Sequence, residues 1–213
     1  MNSVWLFNIG ADIYAWFTAQ AAWRASCARL AGELAGNDPD LVVDLGCGPG
    51  VSTFELARLL PHTRLVGLDV APRMLRQALR RAPSSVRVDW LQANAVSLPF
   101  ADASVAACTG HSFLYLVQDR TTVLREIRRV LRPGGRLTLM EPSVKGASPA
   151  GVLAVSRDPR HLVSVSLWRP FSRVHGRFTP ESLAQTLNAA GFVDCHIDET
   201  LGGLGLLANA TVS

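Results

Sequence analysis

Nine residues, Val42-Val43-Asp44-Leu45-Gly46-Cys47-Gly48-Pro49-Gly50, constrain this chain more than any other stretch. The apolar run from Leu41 to Leu45, rich in aliphatic and β-branched side chains, reads as a short buried strand. It ends in three glycines on alternate positions. Glycine tolerates positive φ and lets a ligand approach the backbone, so Gly46, Gly48 and Gly50 predict a tight turn with exposed N–H groups. The segment from Ser52 to Leu60 has helical spacing and stops at Pro61. A strand, a glycine loop and a helix N-terminus together make a nucleotide-type cradle.

The residues around the loop decide the kind of nucleotide. No Lys-Ser or Lys-Thr pair comes after the glycines, which excludes a phosphate-binding P-loop. Counting from Gly46, the third glycine of the dinucleotide fingerprint is replaced by Val51. Asp44, just before the loop, favours a ligand ammonium group over a pyrophosphate. A second apolar run, Leu65-Val66-Gly67-Leu68, ends at Asp69, at a distance suited to a carboxylate that binds ribose hydroxyls. The predicted ligand carries a ribose and an amino acid rather than a diphosphate.

Four segments then resemble one family in its order: Val43 to Gly50; Val66-Gly67-Leu68-Asp69-Val70-Ala71-Pro72-Arg73-Met74-Leu75; Leu91-Gln92-Ala93-Asn94-Ala95-Val96-Ser97-Leu98-Pro99-Phe100; and Leu124 to Leu137, which contains Arg132-Pro133-Gly134-Gly135. Over residues 40–142 the chain is similar to the class I S-adenosylmethionine-dependent methyltransferases, in particular the small-molecule group that includes quinone-biosynthesis enzymes. The resemblance implies S-adenosyl-L-methionine as cofactor and S-adenosyl-L-homocysteine as product. It also implies cofactor contacts from Asp44, Gly46, Cys47, Gly48, Gly50, Asp69, Val70, Met74, Asn94, Ala95 and Thr109. The family usually has an acidic residue where this chain has Asn94, so the contact to the adenine amine would use an amide oxygen.

A length of 213 residues with 48% hydrophobic and 18% charged residues suits one well-buried α/β domain and leaves no room for a second. The net charge of +4 is modest. The arginine clusters, Arg73, Arg76, Arg80, Arg81 and Arg125, Arg128, Arg129, Arg132, lie beside apolar positions on predicted helices and read as solvated faces, not a nucleic-acid patch. Cys27, Cys47, Cys108 and Cys195 have neither C-x-x-C nor zinc spacing, so no metal site is expected and a reducing cytoplasm is the default. No signal peptide is expected, and no apolar run approaches the ~20 residues that span a bilayer.

From Leu41 to Glu141 strands and helices alternate. This predicts a Rossmann-like, doubly wound and mostly parallel sheet of seven strands, the last antiparallel, with ligands at the carboxyl ends of the strands. Predicted strands cover 41–45, 64–69, 86–91, 105–109, 136–141, 193–200 and 204–211. The single domain divides into an N-terminal helical lid at 1–37, a cofactor core at 38–142, a lid insertion at 143–178, and a closing helix and strands at 179–213. The lid at 1–37 rests on Trp5, Leu6, Phe7, Ile9, Tyr14, Trp16 and Trp23, which equally suit packing on a sheet edge or a neighbouring subunit. Prolines 142, 149, 159 and 170 break the rhythm of the insertion, which is long enough to be functional. Thr179-Pro180-Glu181-Ser182 reads as a helix start, with Ser182 where a capping box prefers Glu.

A methyl group on a sulfonium is already an activated electrophile, so transfer mainly needs an aligned acceptor. Positioning of this kind supplies on the order of 7–11 kcal/mol. His111, after the fourth long strand, and Tyr14 are the candidate catalytic residues, His111 because an imidazole pKa near ~6.5 suits a base. Bonding to backbone or cofactor without proton transfer is the plainer role for His111. The expected partner is a small, largely apolar methyl acceptor, with no nucleic acid and no integral membrane segment; a homodimer is left open. A non-catalytic binding protein and a nicotinamide oxidoreductase are the alternatives.

Overall fold

The computed structural model describes residues 11–146 and 148–213. The positions Trp5, Leu6, Phe7 and Ile9 of the expected N-terminal lid lie outside the described residues. The described chain opens with two helices, α1 (Ala11–Thr18) and α2 (Ala21–Gly32). Then come β1 (Leu41–Leu45), α3 (Val51–Leu59), β2 (Arg64–Asp69), α4 (Pro72–Arg81), β3 (Asp89–Gln92) and β4 (Val105–His111). The chain closes with α5 (Arg120–Val130), β5 (Leu131–Pro142), α6 (Pro149–Val155), α7 (Pro159–His175), α8 (Pro180–Ala189), β6 (Val193–Thr200) and β7 (Gly205–Thr211).

The seven strands form one sheet in the order β3-β2-β1-β4-β5-β7-β6. Strands β1 to β5 pair in parallel, and β7 runs antiparallel to both β5 and β6. This is the expected doubly wound sheet with its last strand reversed. The winding changes direction between β1 and β4, where a doubly wound sheet opens a crevice outside the strands' carboxyl ends. On one side of the sheet Val123, Leu124 and Ile127 of α5 and Leu183 and Leu187 of α8 join β-strand residues in the main core. A smaller cluster sets Ala31 of α2, Leu34, and Leu56 of α3 against Val42, Leu65 and Ala107.

The main departures from the sequence reading each have a local reason. β3 starts at Asp89 rather than Val86, because residues 83–86 turn instead, with Val86 N–H bonded to the Pro83 carbonyl. β5 takes in Arg132-Pro133-Gly134-Gly135, whose composition suggests only a turn. The pairing jumps from Val105↔Leu131 to Ala107↔Arg136, so the intervening residues bulge out of the strand, with Gly134 at φ 74°. The insertion holds two helices where its prolines suggest only breaks. Pro149 and Pro159 open them, each after a capping side chain: Ser148 accepts from Gly151 N–H at 3.1 Å and Asp158 from Arg160 N–H at 2.9 Å. Proline at the first helical position sacrifices no helical hydrogen bond. α8 begins as expected at Thr179, and Ser182 completes the capping box in place of Glu.

The excursion 143–178 is pinned at its neck. Ser143 and Phe178 form a parallel bridge, with Val144 N–H bonded to the Phe178 carbonyl and Phe178 N–H to the Pro142 carbonyl. Just before it, at the end of β5, buried Glu141 accepts the backbone N–H groups of Phe113 (3.1 Å), Leu114 (2.7 Å) and Tyr115 (3.1 Å). One carboxylate thereby fixes the turn after β4. Burial outweighs these donors and pushes the Glu141 pKa up to about 7. An acid whose folded pKa is raised stabilises the fold fully below its unfolded value and loses that contribution as pH rises through the folded value. The stability margin of wild type over Glu141→Gln should therefore shrink between pH 5 and pH 8, by on the order of 1–3 kcal/mol. Thermal denaturation at the two pH values measures it, and a margin that widens with pH would refute this account of the residue.

Candidate functional site

The glycine loop follows from the sequence as local geometry. Gly46, Gly48 and Gly50 have φ of 62°, 54° and 88°, values that L side chains rarely adopt. Space adds to the requirement at Gly46, where a Cβ would lie 2.7 Å from Phe113 Cδ2. The loop is tied to the neighbouring strand by Cys47 N–H on the Leu68 carbonyl (3.0 Å) and by Gly48 N–H on Asp69 Oδ2 (2.9 Å). The other oxygen of Asp69 accepts Ala71 N–H at 2.8 Å, at the start of α4. Burial raises the Asp69 pKa, and the Ala71, Gly48 and Val70 backbone N–H groups pull it back.

A cavity of about 620 Å³ opens over this loop at the carboxyl ends of the strands. Gly46, Gly48, Asp69, Val70, Met74, Asn94 and Ala95 line it, together with Tyr14. These positions, separated in the chain, meet in one groove because β1, β2 and β3 are neighbours in the sheet. Asn94 is exposed, and its Oδ1 accepts Val96 N–H at 3.2 Å, which leaves that oxygen a second lone pair. Tyr14 Cε1 would lie 3.7 Å from a Cβ at Gly48, so the phenol ring roofs the glycine loop. Burial is the first cause holding the Tyr14 hydroxyl well above the usual phenol range, with Cys27 and Asp69 adding to it.

The remaining sequence candidates stand behind the wall rather than on it. Asp44 is buried and accepts three hydroxyls: Ser52 (2.7 Å) and Thr53 (2.6 Å) on Oδ2, and Thr109 (3.1 Å) on Oδ1. Burial pushes its pKa up to about 6 against those donors. Thr109 is spent on this contact, Cys47 packs toward Gly67, and Gly50 caps α3 against Phe54, Trp90 and Ala78. His111 is buried too. Its Nε2 lies 2.8 Å from Ser26 Oγ and its ring is tilted over Trp23, with centroids 4.7 Å apart. Burial, partly offset by its own carbonyl, lowers its pKa to about 4, so the ordinary imidazole value expected from the sequence does not apply. No group of three or more His, Cys, Asp or Glu side chains among the described residues could hold a metal.

Sequence reasoning pointed to the stretch Thr109 to Tyr115, of which Ser112 and Phe113 line the cavity, but missed Leu116, Val117 and Gln118, which line it as well. It also missed the pairing of Asp44 with Ser52 and Thr53, although the two hydroxyls stand directly after the loop. A groove of this volume, with a carboxylate in its floor beside left-handed glycines and an apolar wall of Leu68, Val70, Ala71 and Met74, fits a nucleoside bearing an amino-acid chain. Fold and site thus define an α/β protein that binds a nucleoside-type cofactor at its topological switch point.

The comparisons narrow this class. Residues 42–135 match the family described as methyltransferase domain. The demethylmenaquinone methyltransferase of Deinococcus radiodurans is 31% identical over 196 residues, which cover 86% of this chain and 79% of that protein. That of Lactococcus lactis is 36% identical over 130 residues, 60% of this chain and only 50% of the relative, so this chain spans half of that relative's length. Human N-acetylserotonin methyltransferase, solved in complex with S-adenosylmethionine, superposes with a TM-score of 0.70 at 18% identity, over 97% of this chain and 58% of that one. The chain belongs to the class I S-adenosylmethionine-dependent methyltransferases, in the group that holds the quinone-biosynthesis enzymes.

Asp69 both tethers the loop and lines the large groove. Asp69→Ala should lower S-adenosylhomocysteine affinity at least tenfold and cost ~1–3 kcal/mol of stability, because Gly48 and Ala71 lose their acceptor. Calorimetric titration together with thermal denaturation tests both, and unchanged affinity would remove Asp69 from the site.

Proposed function

We propose that this protein transfers the methyl group of S-adenosyl-L-methionine to a small, largely apolar acceptor. The observation that carries the proposal is the single groove that joins Gly46 and Gly48 to Asp69 and to Asn94 across three strand ends. When bound, the cofactor supplies an activated methyl group on a sulfonium. Asp69 would accept the ribose hydroxyls, and the free lone pair of Asn94 Oδ1 would accept the adenine amine. Val70, Met74 and Ala95 supply apolar walls. Asp44, Cys47, Gly50 and Thr109 act one layer further back, holding the loop in the left-handed turns that let a ligand approach its backbone; the N–H groups of Cys47, Gly48 and Gly50, expected to be exposed, are bonded within the protein.

Tyr14 and His111 fit a role in orientation. With the phenol raised and the imidazole lowered to about 4, both are neutral at pH 7. Moving a proton from an ordinary phenol, near ~10, to such an imidazole is uphill by on the order of 8 kcal/mol, so His111 does not ionise an acceptor in advance of transfer. The helices of 11–37 and 143–178 are proposed as the two lids that screen the acceptor from water. The exposed Val163, Leu167 and Val174 on one side of α7 support a homodimer. The unpaired cysteines 27, 47, 108 and 195 support a cytoplasmic setting. Among the described residues no helix is long and apolar enough to cross a membrane.

Calorimetry should show micromolar binding of both S-adenosylmethionine and S-adenosylhomocysteine and none of NAD; failure of the first two would overturn the proposal. Once an acceptor is in hand, kcat should show no imidazole ionisation between pH 5.5 and 8. An inflection near 6.5 that disappears in His111→Gln would instead give that residue a proton-transfer role.

A further inference from the structure

Residues 143–178 differ from the rest of the chain in charge. They carry six of its 21 Lys and Arg residues but one of its 17 Asp and Glu residues. The excursion is therefore +5 within a chain of +4, and everything outside it is −1. Exposed apolar side chains gather there too. Of the ten large hydrophobic residues that are exposed among the described residues, five lie in the excursion: Val144, Leu153, Val163, Leu167 and Val174. Its main helix, α7, sorts its residues by side. His161, Ser164, Val165 and Trp168 face inward and line a small, mostly apolar cavity of about 40 Å³ between α7, α2 and the carboxyl ends of β4 and β5. Val163, Leu167, Pro170 and Val174 recur at steps of four, three and four, which sets them in one stripe on the opposite, exposed side.

The cations stand around that stripe. At 3.6 residues per turn Arg160 and Arg173, both exposed, flank it on its two sides, and Arg157 and Arg177 lie just before and just after the helix. Arg160 pairs with Asp158 at 2.9 Å, the one acid of the excursion. Arg157, Arg173 and Arg177 have no carboxylate partner among the described residues. Burial, with Arg169 and Arg173 adding to it, holds the Arg177 guanidinium below its ordinary value, so the cations at this end gather without a compensating acid. Three partners would cover an apolar stripe rimmed in this way. Nucleic acid leaves the aliphatic side chains unrewarded, and the nearby rings are not free to stack on bases: Trp168 lines the cavity, and Phe171 packs against Tyr115 and His175. A second copy would cover the stripe, but in a twofold contact the same patch meets itself, and arginines brought against arginines oppose the pairing. An anionic bilayer meets both demands, since aliphatic side chains enter the headgroup boundary while guanidiniums reach the phosphates. Charge thus decides between partners that the apolar residues alone would suit equally.

We propose that the outer side of α7 docks this protein on an anionic lipid bilayer, with Val163, Leu167 and Val174 entering the headgroup boundary and Arg157, Arg173 and Arg177 pairing with lipid phosphates. The docked helix stands between the bilayer and the small cavity, one side turned to each. A largely apolar acceptor dissolves in a bilayer, so docking shortens its route to the protein; that consequence, unlike the docking itself, rests on the methyltransferase proposal.

Co-sedimentation of the full chain with vesicles tests this, comparing phosphatidylcholine alone with phosphatidylcholine and phosphatidylglycerol in equal amounts. Binding should be at least tenfold tighter to the mixed vesicles and should weaken as salt is raised. Each arginine at such a surface contributes about fivefold, so Arg157→Ala combined with Arg173→Ala should lower the affinity at least tenfold. Arg76→Ala combined with Arg125→Ala makes the same change of charge at exposed positions elsewhere and should lower it less than threefold. Leu167→Ser, which leaves the charge alone, should lower it at least threefold. All these variants should keep the wild-type melting temperature and S-adenosylhomocysteine affinity. Equal binding to both vesicles, binding to neither, or equal losses from the two arginine pairs would overturn the docking face. So would a dimer, or a complex with a DNA duplex, that the α7 substitutions abolish while vesicle binding stays as it was. Vesicle binding does not involve the cofactor, so its failure and that of the methyltransferase proposal are read separately.

Discussion

Everything at the switch point depends on one buried carboxylate. Asp44, one residue before the end of β1, is buried and held by hydroxyls from two directions, Ser52 and Thr53 on α3 and Thr109 on β4. A carboxylate removed from water is costly unless its lone pairs are filled, and here three donors fill them. The arrangement joins the strand before the loop, the helix after it and the strand beside it. Within that frame the backbone between Gly46 and Gly50 has little freedom, and its left-handed turns become the floor of a binding groove. Glu141 repeats the device two strands along, on β5, using backbone N–H groups instead of hydroxyls to set the turn from Phe113 to Tyr115.

Much of this is legible in the sequence, where the signals are local. The glycine spacing, the alternation of strands with helices, Asp69 at a strand end and the Thr179 helix start all depend on residues close together in the chain. The features that escape a sequence reading depend on distant partners or on proline's two meanings. Asp44 reads from the sequence as a ligand contact, and its anchoring role emerges only when Thr109, 65 positions later, is found against it. Prolines 149 and 159 read as breaks, and only the Ser148 and Asp158 caps turn them into helix starts. The same distance hides the setting of His111, since Ser26 and Trp23 stand 85 and more positions earlier in the chain.

The two cavities divide the chemistry by polarity and burial. The large groove is lined by a carboxylate, backbone and an amide, whereas the small cavity has a mostly apolar wall. Raised acids and a lowered imidazole have a common origin, since a site walled off from water disfavours every charge of its own. Neutral groups then do the orienting. The helices α2 and α7, with the turn before α2, bring Gln20, Ser26, His161 and Trp168 to a wall that the sheet alone does not complete.

The pinned neck at Ser143 and Phe178 has an evolutionary consequence. Because the segment between them leaves and rejoins the sheet at one bridge, its length and sequence can change without altering the spacing of the strands on either side. Doubling the length of a flexible excursion costs only about 0.6 kcal/mol in closure entropy. Such a stalk makes the segment an exchangeable cartridge: its helices can be replaced by others while the sheet and the glycine loop pass down unchanged.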